Sequence, residues 1–150
     1  MEDLITLRTL LHEMLQAQRL AVLSTAGPGG FPYSNLVSFA ALGADRLLFA
    51  TTRATRKYEN LKADARVALL VDSRRNEEAD FHEALAATAL GTAVELTGEE
   101  REKGIAAYIV KFPFLEEFAR SPSCALFRVT VERYIVVTKF QNVIEVSPTT

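Results

Sequence analysis

Leu4, Leu7, Leu11, Met14 and Leu15 recur at three- and four-residue spacing, which predicts an amphipathic helix from Asp3 to Ala17. Arg19 to Thr25 then holds a short apolar run, Leu20-Ala21-Val22-Leu23. Ala26-Gly27-Pro28-Gly29-Gly30 closes it, because Gly and Pro supply backbone angles that other residues resist. Pro32 to Ala40 and Arg46 to Thr51 flank a second turn at Leu42-Gly43-Ala44-Asp45, so three strands in a meander are expected. Tyr58 and Leu61 mark a short helix, and Val67-Ala68-Leu69-Leu70-Val71 is aliphatic and too short for a helix, which predicts a buried strand. The charged stretch Asp72 to Phe81 reads as an exposed loop.

Beyond that loop, Thr88, Leu90, Thr92, Val94 and Leu96 alternate along Ala86 to Leu96, predicting a long strand bent or bulged at Gly91. Glu99 to Lys111 carries acids in its first turn and Ile105, Tyr108, Ile109 and Phe112 at helical spacing, so a helix ends before Pro113. Leu115 to Ala119 has room for one further turn. Cys124 to Thr130 and Val131 to Phe140 are β-rich, and a tail to Val146 follows. Six or seven strands and three helices result. Runs of strands with few intervening helices imply an antiparallel sheet, which relieves its exposed edges most simply by curling into a barrel. The expected fold is mainly β (α+β): an antiparallel six- to seven-stranded barrel with flanking helices.

The totals set bounds on function. A chain of 150 residues, 49% hydrophobic and 24% charged, fits a single globular domain. A net charge of -2 gives no reason to expect nucleic acid as a partner. No apolar stretch approaches the roughly 20 residues of a membrane span, and the start, Met1-Glu2-Asp3-Leu4, lacks a signal peptide's basic run, so a cytoplasmic location is expected. One cysteine, Cys124, excludes an intramolecular disulfide and a thiolate zinc site, and its strand-like setting favours a buried structural thiol. His12 and His82 stand far apart and outside any metal-ligand pattern, so no metal is expected.

The richest chemistry lies in Thr51-Thr52-Arg53-Ala54-Thr55-Arg56-Lys57, between an apolar strand and the short helix. Two readings fit this run. In one, hydroxyls, two adjacent cations and the unpaired N–H groups of a helix start converge as a phosphate cradle. In the other, Thr55 only caps the helix and Arg56 and Lys57 are solvated.

Four segments together resemble the pyridoxamine 5'-phosphate oxidase-like split-barrel flavoproteins: Tyr33-Ser34-Asn35-Leu36-Val37-Ser38-Phe39, Leu47 to Thr52, Arg56-Lys57-Tyr58-Glu59-Asn60-Leu61 and Ala65 to Leu69. Order and spacing are similar over residues 18 to 96. The ending from Arg133-Tyr134 through Phe140-Gln141-Asn142-Val143 looks like the branch that includes haem-utilisation proteins. The resemblance implies a homodimer binding FMN in a cleft at the subunit interface. It places Asn35, Leu36, Val37 and Ser38 along the isoalloxazine ring, Thr51 and Thr52 at the phosphate, and Arg56 with Lys57 as the pair that neutralises it. Gln141 and Asn142 are implied to reach the cofactor across the interface.

Vitamin-converting members close with an arginine- and histidine-bearing segment, where this chain has Glu145-Val146-Ser147-Pro148-Thr149-Thr150. Oxidation of pyridoxamine phosphate is therefore not expected. The expected function is an FMN-dependent oxidoreductase acting on an unidentified small molecule, with no catalytic residue assigned. The alternatives are a haem-binding or haem-degrading split barrel and a non-enzymatic protein that holds a flavin or deazaflavin.

Overall fold

The computed structural model describes residues 3–149. The first helix, α1 (Leu4–Ala17), begins where the Asp3 carboxylate accepts the N–H groups of Ile5 at 2.7 Å and Thr6 at 3.1 Å. An aspartate at this position satisfies donors that the helix itself leaves unpaired. Its buried face is Leu7, Leu11, Met14 and Leu15.

Seven strands follow: β1 (Leu20–Ala26), β2 (Pro32–Ala41), β3 (Arg46–Thr52), β4 (Arg66–Asp72), β5 (Leu85–Glu95), β6 (Cys124–Thr138) and β7 (Asn142–Val146). All pairings are antiparallel, in the order β3-β2-β1-β4-β5-β6-β7, and β3 also pairs with β6. That last pairing closes a six-stranded barrel and leaves β7 as an added strand on β6. The fold expected from the sequence is therefore the fold present.

Two apolar clusters hold it together. The barrel interior includes Leu23, Phe39, Leu47, Phe49, Leu69, Phe127 and Tyr134, closed at one side by α1. The second lies outside the wall, where Ala40, Leu48, Ala50, Cys124 and Leu126 meet Ile105 and Tyr108 of α4 (Gly98–Lys111) and Phe112, which caps its C-terminus. β3 is thus buried on both faces, which is why Leu47-Leu48-Phe49-Ala50 reads as an unbroken apolar run. Cys124 is a free, buried thiol inside this cluster, and burial pushes its pKa up.

The elements depart from the sequence reading in three places. Cys124 to Thr130 and Val131 to Phe140 form one strand that ends at Thr138. Its register against β5 shifts so that Leu90 faces Arg133 while Gly91 faces Val131, leaving Glu132 as the extra residue of a bulge. Among the described residues five α-helices form rather than three: α3 (Asp80–Glu83) joins α1, α2 (Arg56–Ala63) and α4, and the further turn expected over Leu115 to Ala119 is α5 (Glu116–Arg120). Finally, the hairpin between β6 and β7 turns through Lys139 and Phe140, both at positive φ, with Gln141 N–H donating to the Thr138 carbonyl at 3.2 Å.

Candidate functional site

The barrel wall opens between β2 and β3. These strands pair only at Phe39–Ala41 with Leu47–Phe49, yet β2 runs back to Pro32 and β3 on to Thr52. Beyond Phe39 and Phe49 they part. The Phe39 N–H donates to the Arg19 carbonyl on the β1 side at 3.1 Å. Backbone groups alternate sides along an antiparallel strand, so those of Ser34, Leu36 and Ser38 face the split. Those of Asn35 and Val37 are paired with Leu23 and Ala21 of β1.

The four residues expected along the ring therefore occupy different positions. Leu36 and Ser38 turn main-chain donors and acceptors to the opening. Val37 is buried wall. Asn35 turns its side chain to the barrel-interior face shared with Val37 and Phe39, where its Oδ1 is buried and lacks a hydrogen-bond partner. Such an acceptor costs free energy until a donor reaches it. Tyr108 of α4 is fully buried behind the split, and burial raises its pKa while a hydrogen bond with Ser38 opposes that rise.

At the end of β3 the chain turns into α2. Thr51 is buried, with its hydroxyl 3.3 Å from that of Thr55. Thr55 caps the helix: its Oγ1 accepts from the Tyr58 N–H at 3.3 Å and donates to the Thr52 carbonyl at 2.9 Å. The capping reading of Thr55 is thus realised, and both threonine hydroxyls are spent inside the turn. That does not remove the cradle. Capping leaves the first N–H groups, at Arg56 and Lys57, without intrahelical partners.

The two cations behave differently. The Arg56 guanidinium is exposed and lies 5.8 Å from the centre of the Tyr33 ring. Lys57 is half-buried, and burial lowers its pKa. Among the described residues neither has an ion-pair partner. Arg53, by contrast, is committed: it pairs with Glu95 at 2.6 Å and donates to the Pro122 carbonyl at 2.5 Å. A cleft of about 490 Å³ lies over this turn, lined by Pro28, Arg53, Thr55, Arg56, Glu59 and Asn60.

Gln141 and Asn142 do not join this site within one chain. Cys124 pairs with Thr52 at the cradle end of β6, and Asn142 pairs with Thr138 at the other. Fifteen residues of strand separate the two ends, roughly 45 Å. Both residues are exposed.

The stretch 72–81 is more ordered than a solvated connector. The Asp80 carboxylate accepts the N–H groups of Arg75, Asn76 and Glu77 at 3.0, 2.7 and 3.1 Å, which holds its pKa low. The stretch lines a cleft of about 470 Å³ with Leu70, Leu85 and Val137, beside an edge-to-face pair of exposed rings, Phe81 and Phe140. His12 and His82 are both exposed. Among the described residues, no three His, Cys, Asp or Glu side chains gather in a group able to hold a metal ion. No described helix is long and apolar enough to cross a membrane.

An antiparallel barrel split at one seam, with a cationic strand-to-helix turn at the seam, is the architecture of the split-barrel class. The match to a family model is specific: residues 7–138 fit pyridoxamine 5'-phosphate oxidase, and the chain belongs to that family. Among curated proteins, none matches the chain in sequence.

Solved structures share the fold. A haem-binding protein from Mycobacterium smegmatis superposes with a TM-score of 0.80 at 16% identity, over 91% of this chain and 57% of its own. HutZ of Vibrio cholerae, described as a haem storage protein, gives 0.73 at 16%, over 87% and 92%. A protein of Mesorhizobium loti described as FAD-binding gives 0.68 at 20%, over 85% and 90%.

Proposed function

We propose that this chain is an FMN-binding oxidoreductase that works as a homodimer on a small molecule in the cytoplasm. One observation carries the reading: Lys57 is a half-buried ammonium with no acceptor among the described residues, placed beside Arg56 at a capped helix start. A phosphate dianion supplies what this site lacks, since Arg offers a planar fork, Lys a point charge and the helix start its free N–H groups. The split fits the rest of the cofactor. Asn35 Oδ1 is a buried acceptor without a donor, and the uracil-like edge of an isoalloxazine ring carries an N–H. Leu36 and Ser38 offer main-chain groups along the opening.

When bound, the flavin supplies the redox chemistry, while the protein governs orientation, access and electronics. The chain's own residues bind and orient: Arg56 and Lys57 hold the anion, Asn35 fixes the polar edge, and α4 covers the outside of the seam. Gln141 and Asn142 belong to the site only if a second copy brings them. The uncovered apolar face of the sheet, Leu20, Leu36, Leu70 and Val143, is where that copy would sit.

The test is spectroscopic. Purified protein should be yellow, or become so with FMN, and reduction by NADH or NADPH with turnover on an acceptor would separate an enzyme from a flavin store. Replacing both Arg56 and Lys57 by Ala should weaken FMN binding about a hundredfold or more, as expected for two charge-assisted contacts. Unchanged affinity would remove the cradle.

Haem is the second reading, because two similar folds are described as haem proteins. Its weakness is chemical: His12 and His82 sit in no haem-ligation pattern, and the one thiol, Cys124, is buried under α4. Parallel titration with haemin and FMN separates the two, with a Soret band at stoichiometric haemin favouring haem.

A further inference from the structure

Glu95 ends β5, and both flanks of the cradle are tied to its carboxylate. Oε2 accepts from Arg53 Nη2 at 2.6 Å, and Oε1 accepts from the Tyr58 hydroxyl at 2.9 Å. Arg53 and Tyr58 bracket residues 54–57 in the chain, so one side chain spans the segment that carries Arg56 and Lys57. The Arg53 end is locked further, since its N–H donates to the Ser123 carbonyl at 3.0 Å. Tyr58 rests edge-on against Phe127 at 6.0 Å between ring centres. On the opposite side, Asn60 Nδ2 donates to Thr25 Oγ1 at 3.0 Å, so α2 is pinned to β1 and to β5 at once.

The balance of charge fits this arrangement. Burial raises the Glu95 pKa, but hydrogen bonds from Arg53 and Tyr58 outweigh it and keep the carboxylate ionised. Its negative charge is then matched by Arg53, which leaves Arg56 and Lys57 uncommitted toward a ligand.

We propose that Glu95 is the positioning residue of the phosphate cradle: through Arg53 and Tyr58 it fixes the turn so that Arg56 and Lys57 address one anion position. The inference rests on the flavin reading above. It assigns to Glu95 a role in recognising the phosphate, with no contact to the ring.

Riboflavin, which lacks the phosphate, is the discriminating probe. Affinities for FMN and riboflavin are measured by fluorescence quenching for the wild type, Glu95→Ala, Glu95→Gln and Tyr58→Phe. Glu95→Ala and Tyr58→Phe should each lower FMN affinity about fivefold or more and leave riboflavin affinity within about twofold, as loss of one or two orienting bonds implies. Glu95→Gln keeps an oxygen for one partner and should fall between. Equal losses for both ligands would make Glu95 a general structural residue and overturn the proposal. So would unchanged or tighter FMN binding in the folded variants, the latter showing Arg53 released to serve the phosphate. If Glu95→Ala does not fold, Tyr58→Phe decides, because it removes a single hydroxyl. A wild type that binds neither flavin overturns the flavin reading and this role with it, whereas a wild type that binds FMN beside indifferent variants overturns the role alone.

Discussion

Asn35 shows how a single side chain can bear on both stability and ligand. Its Oδ1 is sealed from water with nothing to accept from, and an orphaned acceptor of this kind costs about 1–3 kcal/mol. Asn35→Val removes the orphan and places a β-branched residue in a strand, so the free protein should gain about 1 kcal/mol in urea denaturation. The same variant should bind FMN about tenfold more weakly. Weaker binding without the gain in stability would mean that the amide is satisfied in the free protein. At this scale the sequence was legible where partners are neighbours. Thr55, Arg56 and Lys57 are consecutive, and the cap-plus-cations pattern needs only a helix start to acquire meaning. Glu95 was not legible. Its partners lie 42 and 37 positions away, and a glutamate at the end of an alternating strand looks like any solvated charge until the barrel closes.

Among the elements, β6 explains where pattern reading succeeds and where it divides what the fold joins. Phe127, Val129 and Val131 point inward at odd positions, then Tyr134 and Val136 do so at even ones. A change of phase reads as a boundary between two strands. Here it is the bulge at Glu132 within one strand, where two residues face one on the partner. Gly91 sits opposite, as its place in an alternating strand suggested, and the reason is steric: a Cβ there would run into the Thr130 carbonyl. Gly91→Ala should cost roughly 2 kcal/mol, read as a lower urea midpoint with an unchanged slope. An unchanged midpoint would mean that β5 and β6 separate there at no cost. The four residues of α3 escaped the sequence reading because one helical turn carries no usable period and is held instead by the Asp80 carboxylate.

For the whole molecule, an alternating pattern implies a closed antiparallel sheet, but not that β3 closes it against β6, since that pairing joins residues far apart in the chain. Nor does the pattern say which face stays bare. The run Val67 to Val71 sends Val67, Leu69 and Val71 into the barrel and leaves Leu70 outside, across from Val22, itself opposite Leu36. An apolar row thus crosses the outer wall of β2, β1 and β4, with Leu20 beside it and α4 covering only the seam side. A contiguous apolar face of this kind is unfavourable in water, and the homodimer proposed above would cover it and also account for Gln141 and Asn142, at the far end of β6 from the proposed cradle. Leu20→Glu with Leu70→Glu charges the row without touching the interior. The wild type should elute with twice the chain's mass by light scattering, and the variant with the mass of one chain and an unchanged circular dichroism spectrum. If two copies share the site as proposed, FMN affinity should fall with the dimer. A monomeric variant that keeps full FMN affinity would place the whole site within one barrel, and a variant that remains dimeric would move the interface to another face.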